Sequence, residues 1–334
     1  MSRLRIILVM ESLDMHKPST WTAAIVFLMA VLSICACTQT PVSGETQIPV
    51  ELPSAAGDGF PRIDGSTSTA PLGAAIICAM MEIPCEWIEF IDGNRYLMPE
   101  LTDYQGYFPG FGHQGTHTAY LNLIDGRADL VLVARSPSAE EMELAEISGV
   151  TFDIQPVALD AFVFMVNEDN PIDGLFVDEI RGIYSGELTH WEQVGGAAAQ
   201  INPYQRNDQS GSQQLMESLG MKGTSMIAAP SLVLLKMIAP FYAISENPLG
   251  IGYSVFYDEE NMAPNENIKL LAIDGVQPNL KSIQAMRYPF TSDGFAVVRA
   301  GSSPTSLAVR SRDWLLSPAG QELVAQSGYA STSD

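Results

Sequence analysis

Cationic side chains are scarce in this chain: 17 Lys and Arg stand against 39 Asp and Glu, for a formal net charge of −22. That balance excludes a nucleic acid as partner, since phosphate backbones are held by clustered Lys and Arg. The usual enzyme signatures are also missing. Ser210 has no G-x-S-x-G context, Ser218 and Lys222 are one residue too far apart for S-x-x-K, and no H-E-x-x-H occurs. No internal repeat is visible. The apolar segment Trp21 to Ile34 runs for only fourteen residues, too short to span a bilayer comfortably. What is present is a globular composition, 46% apolar and 17% charged over 334 residues. That length suffices for two lobes with separate cores.

The apolar run is followed at once by Cys35-Ala36-Cys37 and reads as a signal peptide. Ile34-Cys35-Ala36-Cys37 resembles a bacterial lipobox, which makes Cys37 the expected lipidated residue and the chain an extracytoplasmic lipoprotein of the cell membrane. Glu11 and Asp14 sit awkwardly in the lead-in, whereas Met15-His16-Lys17 starts a compact basic segment, so translation is expected to begin at Met15. Cleavage before Cys37 removes Arg3, Arg5 and Lys17 against Glu11 and Asp14 and takes the charge to −23. Cys78 and Cys85 then remain. In an exported protein the pair reads either as a disulfide or as two buried thiols.

Residues 38–60, rich in Pro, Ser, Thr and Gly, are expected to be a flexible tether. The folded body then alternates strands and helices. A strand at Arg62 leads through a hydroxyl-rich turn to a helix from Leu72 to Met81. Small polar residues from Gly112 to His117 precede another helix, which ends before the strand Asp129 to Ala134. Glu140 to Ser148 and Val177 to Tyr184 read as helices. Phe152 to Val166 and Leu249 to Tyr257 read as strands able to cross between two lobes. Ile227 to Ile244 is predicted to be helical. Strands near Ile268 to Ile273 and Phe295 to Val298, and helices Leu307 to Leu316 and Pro318 to Ser327, complete the pattern.

One stretch organises the rest: Ile201 to Leu219, INPYQRNDQSGSQQLMESL. It places Arg206, Ser210, Gly211 and Ser212 in a turn that opens a helix. The first amides of a helix lack internal partners, the macrodipole favours negative charge there, and glycine lets a ligand approach the backbone. Arg206 adds a planar fork of donors. These residues make a socket for an oxyanion. The turn Asp64 to Leu72, DGSTSTAPL, repeats the strand, polar loop and helix arrangement. Each loop alone also reads as an ordinary helix cap. His113 and His117, spaced i, i+4, with His190 as a third ligand, have the spacing of a metal site on a helix, but Gly115 between them indicates a loop, so no metal is expected.

Several stretches resemble one family: DGSTSTAPL, PVALDAFVFMVN from Pro156, IRGIYSGELTHWEQVGG from Ile180, QRNDQSGS from Gln205 and SPAGQELVAQSGY from Ser317. In order and content they are similar to the phosphate-binding lipoproteins of bacterial phosphate ABC transporters (PstS-like). The resemblance implies an α/β, two-lobed periplasmic-binding-protein-like fold of type II with the ligand in the interlobe cleft. It further implies a lobe of residues 61–160 and 250–334, a second lobe of 161–249, and delivery of inorganic phosphate to permease subunits. No catalytic residue, cofactor or metal is implied. Arg206, Ser210, Gly211 and Ser212 fill the family's R-x-x-x-S-G-T turn with Ser for Thr. The first loop's contacts fall on Ser68 and Thr69, and Thr116 takes the place of a serine in the third.

Two positions depart from the family. His113 and Gln114 stand where it has Ser and Gly, and Ala134 stands where it often has an aspartate that accepts the proton of hydrogen phosphate. Arg135 beside Ala134 would instead favour the dianion. A site made only of donors suits a fully ionised anion such as sulfate. The alternatives are therefore a binder of another tetrahedral oxyanion, a surface sensor without transport, or a metal-dependent phosphatase.

Overall fold

The computed structural model describes residues 60–89, 95–99 and 112–332. The expected signal peptide, Cys37, residues 38–59 of the expected tether, and the aromatic residues Phe90, Tyr104, Tyr107, Phe108 and Phe111 lie outside the described residues. In chain order come β1 (Ile63–Gly65), α1 (Ala70–Met81), β2 (Cys85–Glu89), β3 (Arg95–Pro99), α2 (Thr116–Ile124), β4 (Leu130–Val133) and α3 (Ala139–Ile147). They are followed by β5 (Phe152–Asn167), β6 (Gly174–Leu175), α4 (Val177–Ser185), β7 (Asn202–Pro203), β8 (Gln205–Arg206), α5 (Gly211–Leu215) and β9 (Val233–Leu234). Last come α6 (Ala239–Ser245), β10 (Gly250–Val255), β11 (Ile268–Leu270), β12 (Ala272–Ile273), α7 (Leu280–Gln284), β13 (Thr291–Arg299), α8 (Leu307–Leu315) and α9 (Pro318–Gln326).

The sixteen-residue β5 holds the main sheet together, whose order is β1-β4-β13-β5-β10-β7 with β11 also on β5. Its first part pairs antiparallel with β13, from Phe152 opposite Arg299 to Ala161 opposite Thr291. From Phe162 onward it pairs with β10, and from Met165 with β11. Residues Val157 to Asn167 are buried without alternation, as expected of a strand covered on both faces. Pro156 has no N–H to give a ladder, and it sits where the register with β13 slips by one residue between Gly294 and Phe295. Aromatic rings at Phe162, Phe164, Tyr184, Tyr253 and Phe290 pack edge-on around this strand. Trp191 is fully buried and donates its indole N–H to Leu249 O.

Cys78 and Cys85 are joined by a disulfide, fixing the end of α1 to the start of the β2-β3 hairpin. The segment predicted to be helical from Ile227 to Ile244 is helical only at α6. Pro230 and Pro240, which cannot sit inside a helix, each stand at the start of a helical turn, and between them β9 pairs with β8. Among the described residues no helix is long and apolar enough to cross a membrane.

Candidate functional site

Strand ends position the site. β1 ends in the turn Ser66 to Thr69, where Ser66 Oγ accepts from Thr69 N at 3.2 Å and caps the helical turn that runs into α1. Asp64 ties this turn to the next loop: its Oδ1 accepts from Gly65 N at 2.8 Å and Gln114 N at 3.3 Å, and its Oδ2 from Asn122 Nδ2 at 2.5 Å. Gly115 precedes α2 with φ of 103°, a conformation that glycine adopts readily, and no side chain caps α2. The first amides of α2 therefore have no side-chain partner among the described residues. From β8 the chain turns through Ser210 into α5, which continues as a π-helix over Met216–Met221.

These turns meet at one cavity of about 260 Å³. Ser68, Thr116, Ala134, Arg206, Ser210, Gly211 and Ser212 all line it, together with His117, Asn207 and Asp258. The two sides approach closely: a methyl group on Gly211 would stand 3.0 Å from Thr116 Oγ1.

Arg206 is buried and held from three directions. Its N–H donates to Tyr253 OH (3.0 Å) and Gln213 Oε1 (3.1 Å), its Nε to Leu234 O (3.1 Å), and its Nη1 to Ser212 Oγ (3.4 Å). Among the described residues no carboxylate lies within ion-pair distance of its guanidinium. Burial draws its pKa down, and the negative charge of Asp258 opposes the shift. A fixed cation facing hydroxyls is thus available to an anion.

Two expected contacts are not brought to the cavity. Thr69 is buried, and its hydroxyl donates to Leu132 O at 2.6 Å, fastening the first turn to β4. Arg135 is turned into a buried fork with Glu141, Nη1 to Oε2 at 2.8 Å and Nη2 to Oε1 at 2.7 Å, and it also stacks over Tyr120. It is spent on this carboxylate. Burial pushes the Glu141 pKa up, but the hydrogen bonds and charge of Arg135 outweigh it and hold the group below the ordinary carboxylate value. Glu141 Oε1 also bonds His117 Nδ1 at 3.0 Å. Arg135 thereby acts on the cavity at one remove, by steadying the histidine that lines it.

The sequence reading missed His117 and Asp258 as lining residues. Asp258 had a signal, an acidic residue directly after the apolar run Leu249 to Tyr257. Asp208, in the organising turn, is not part of the lining. His113, His117 and His190 do not gather: among the described residues no group of three or more His, Cys, Asp or Glu is placed to hold a metal.

A family model for a PBP superfamily domain (PBP_like_2) matches residues 94–317. Several relatives are named phosphate-binding protein PstS, among them those of Bacillus subtilis and Borreliella burgdorferi. That of Bacillus subtilis is 26% identical over 182 residues, covering 53% of this chain and 57% of that protein. That of Borreliella burgdorferi is 22% identical over 223 residues, covering 65% and 77%. The chain thus spans little more than half the length of the Bacillus relative. Among solved structures, a putative phosphate ABC transporter substrate-binding protein with bound phosphate from Clostridium perfringens superposes with a TM-score of 0.61 at 20% identity, covering 80% of this chain and 98% of that one. An ABC-type phosphate transport receptor from Vibrio cholerae gives 0.59 at 21%, with the same coverage. These superpositions agree with the α/β fold described above. With two thirds of its length matched by the family model, the chain belongs to the PBP superfamily.

Proposed function

We propose that this protein is a binder, not an enzyme, that captures inorganic phosphate in the cavity around Arg206 and delivers it to the permease of an ABC transporter. The observation that carries the reading is Arg206, buried with no carboxylate partner among the described residues, facing hydroxyls from turns more than a hundred residues apart in the chain. The names of the relatives support phosphate as the ligand. Charge-assisted hydrogen bonds contribute roughly 1.5 to 3 kcal/mol each, and micromolar affinity needs about 8 kcal/mol. A handful of contacts suffices.

In this reading residues 61–160 with 250–334 and residues 161–249 are two lobes that close on the anion, bending where β5 and β10 pass between them. Ser68 and Thr116 belong to the first lobe, and Arg206 and Ser210 to the second. The closed form is what the permease recognises. Cys37 carries a lipid that keeps the protein at the outer face of the cell membrane; radiolabelled palmitate should enter the wild type and not Cys37→Ser, and equal labelling would remove the anchor. Calorimetric titration with phosphate should give a micromolar or tighter Kd, weakened at least about 100-fold in Arg206→Ala with the fold intact. A flat wild-type trace would remove phosphate as the ligand, and unchanged affinity in the variant would remove Arg206 from the site.

A further inference from the structure

The cavity around Arg206 is larger and less polar than an inorganic anion requires. Its volume of about 260 Å³ approaches the roughly 300 Å³ at which pockets for organic ligands begin. Its polar side is made by the Arg206 guanidinium and the hydroxyls of Ser68, Thr116 and Ser210. It also has an apolar side, made by Leu215, Leu235, Met237 and Val255, to which the capture of a bare anion gives no task.

These four residues come from elements built around Arg206. Leu215 ends α5 and Val255 ends β10, and both are buried. Met237 is half-buried and packs against the cluster to which they belong. Leu235 follows β9, whose pairing with β8 sets Leu234 opposite Arg206, and the Leu234 carbonyl accepts from Arg206 Nε at 3.1 Å. Leu235 is therefore tied to the guanidinium through its neighbour, yet it is 74% exposed. A lone surface leucine needs no explanation. This one lines a cavity whose inner wall already carries Leu215 and Val255, so the apolar side reaches from the buried interior to the rim. Leu215, Leu235 and Met237 lie within residues 161–249, the same lobe as Arg206 in the reading above, so closure carries them with it.

We propose that the cavity also takes organic phosphates: a phosphoryl or phosphonyl dianion held by Arg206 and the hydroxyls, bearing one short alkyl group that lies along Leu235 and Met237. The proposal rests on the anion reading above and widens its ligand class. In a phosphate monoester or a phosphonate the terminal oxygens keep the negative charge, and the remaining substituent carries little of it and needs no donor. An oxygen of a bare anion turned toward these side chains would meet carbon alone and go unpaired. An alkyl group in that place displaces water from apolar surface, which favours binding in proportion to the area covered.

The test titrates the full-length protein calorimetrically with phosphate, then displaces it with the methyl, ethyl and propyl monoesters of phosphate and with the corresponding phosphonates. In the wild type each added methylene should tighten binding about threefold in at least one of the two series, and the series that does so tells whether the site accepts the ester linkage, the direct carbon linkage or both. Leu235→Asn keeps the size of an exposed side chain and removes its apolar end, so the ratio of propyl to inorganic affinity should fall about fivefold. Binding that weakens with each methylene in both series, or a ratio unchanged in Leu235→Asn, overturns the apolar subsite and leaves the inorganic-anion reading standing. A wild type that binds neither phosphate nor any alkyl derivative overturns both.

Discussion

Arg206 and Arg135 are equally buried, each about 7% exposed, yet they do different work because of what stands opposite. Arg206 faces hydroxyls and open space, whereas Arg135 faces Glu141 with two matched hydrogen bonds. Removing one partner of a buried pair leaves the other charge unpaired and costs about 3 to 5 kcal/mol. Arg135→Ala should therefore lower stability to urea by about that amount while phosphate affinity falls by no more than about tenfold, through a less steady His117. A stable variant with abolished binding would contradict this assignment. The Ser210-Gly211-Ser212 turn was legible in the sequence because everything it needs lies within seven residues of Arg206. The fate of Arg135 was not. Ser138 and Glu141 are readable as a capping box, but nothing local says that the same carboxylate also grips an arginine six residues back.

At the scale of elements, the meeting of β5 and β10 sets the geometry. Asp160 sits in β5 near the point where its pairing passes from β13 to β10, and its Oδ1 accepts from Ala161 N at 2.8 Å and Tyr257 N at 3.1 Å. Burial pushes this carboxyl from its ordinary 3.8 up to about 7, with the nearby Asp258 acting in the same direction. The folded chain thus keeps a proton that the unfolded chain releases at lower pH, so this group makes stability fall as pH rises from about 4 to about 7. The cost is absent below that window and fully present above it. Asp160→Asn retains the acceptor for both amides and removes the cost. It should be about 2 to 4 kcal/mol more stable than the wild type to urea at pH 8 and nearly equal to it at pH 4; a gain independent of pH would show that the carboxyl is not the cause. Long apolar runs such as β5 and β10 declare themselves in the sequence. The stretch Ile227 to Ile244 is as apolar but became a turn, a short strand and a short helix, because its two prolines and the pairing of β9 with β8 outweighed local preference. That departure matters to the site, since β9 supplies the Leu234 carbonyl that holds Arg206 Nε.

For the molecule as a whole, the proposed anion site is compatible with a net charge of −22, because at physiological salt charges more than about 8 Å away are largely screened and the contact groups decide. The alternating order of strands and helices made the fold class readable, and the order of the family-like segments made the family readable. Convergence of the turns on one cavity depends on sheet order, which no single segment encodes. The central claim is that this cavity holds a tetrahedral oxyanion, and arsenate reports on it directly through its anomalous scattering. A crystal grown with saturating arsenate should show an anomalous peak within hydrogen-bond reach of Arg206, Ser210 and Thr116, with occupancy lost when excess phosphate is added. A peak elsewhere, or none in the cavity at saturation, would contradict the account.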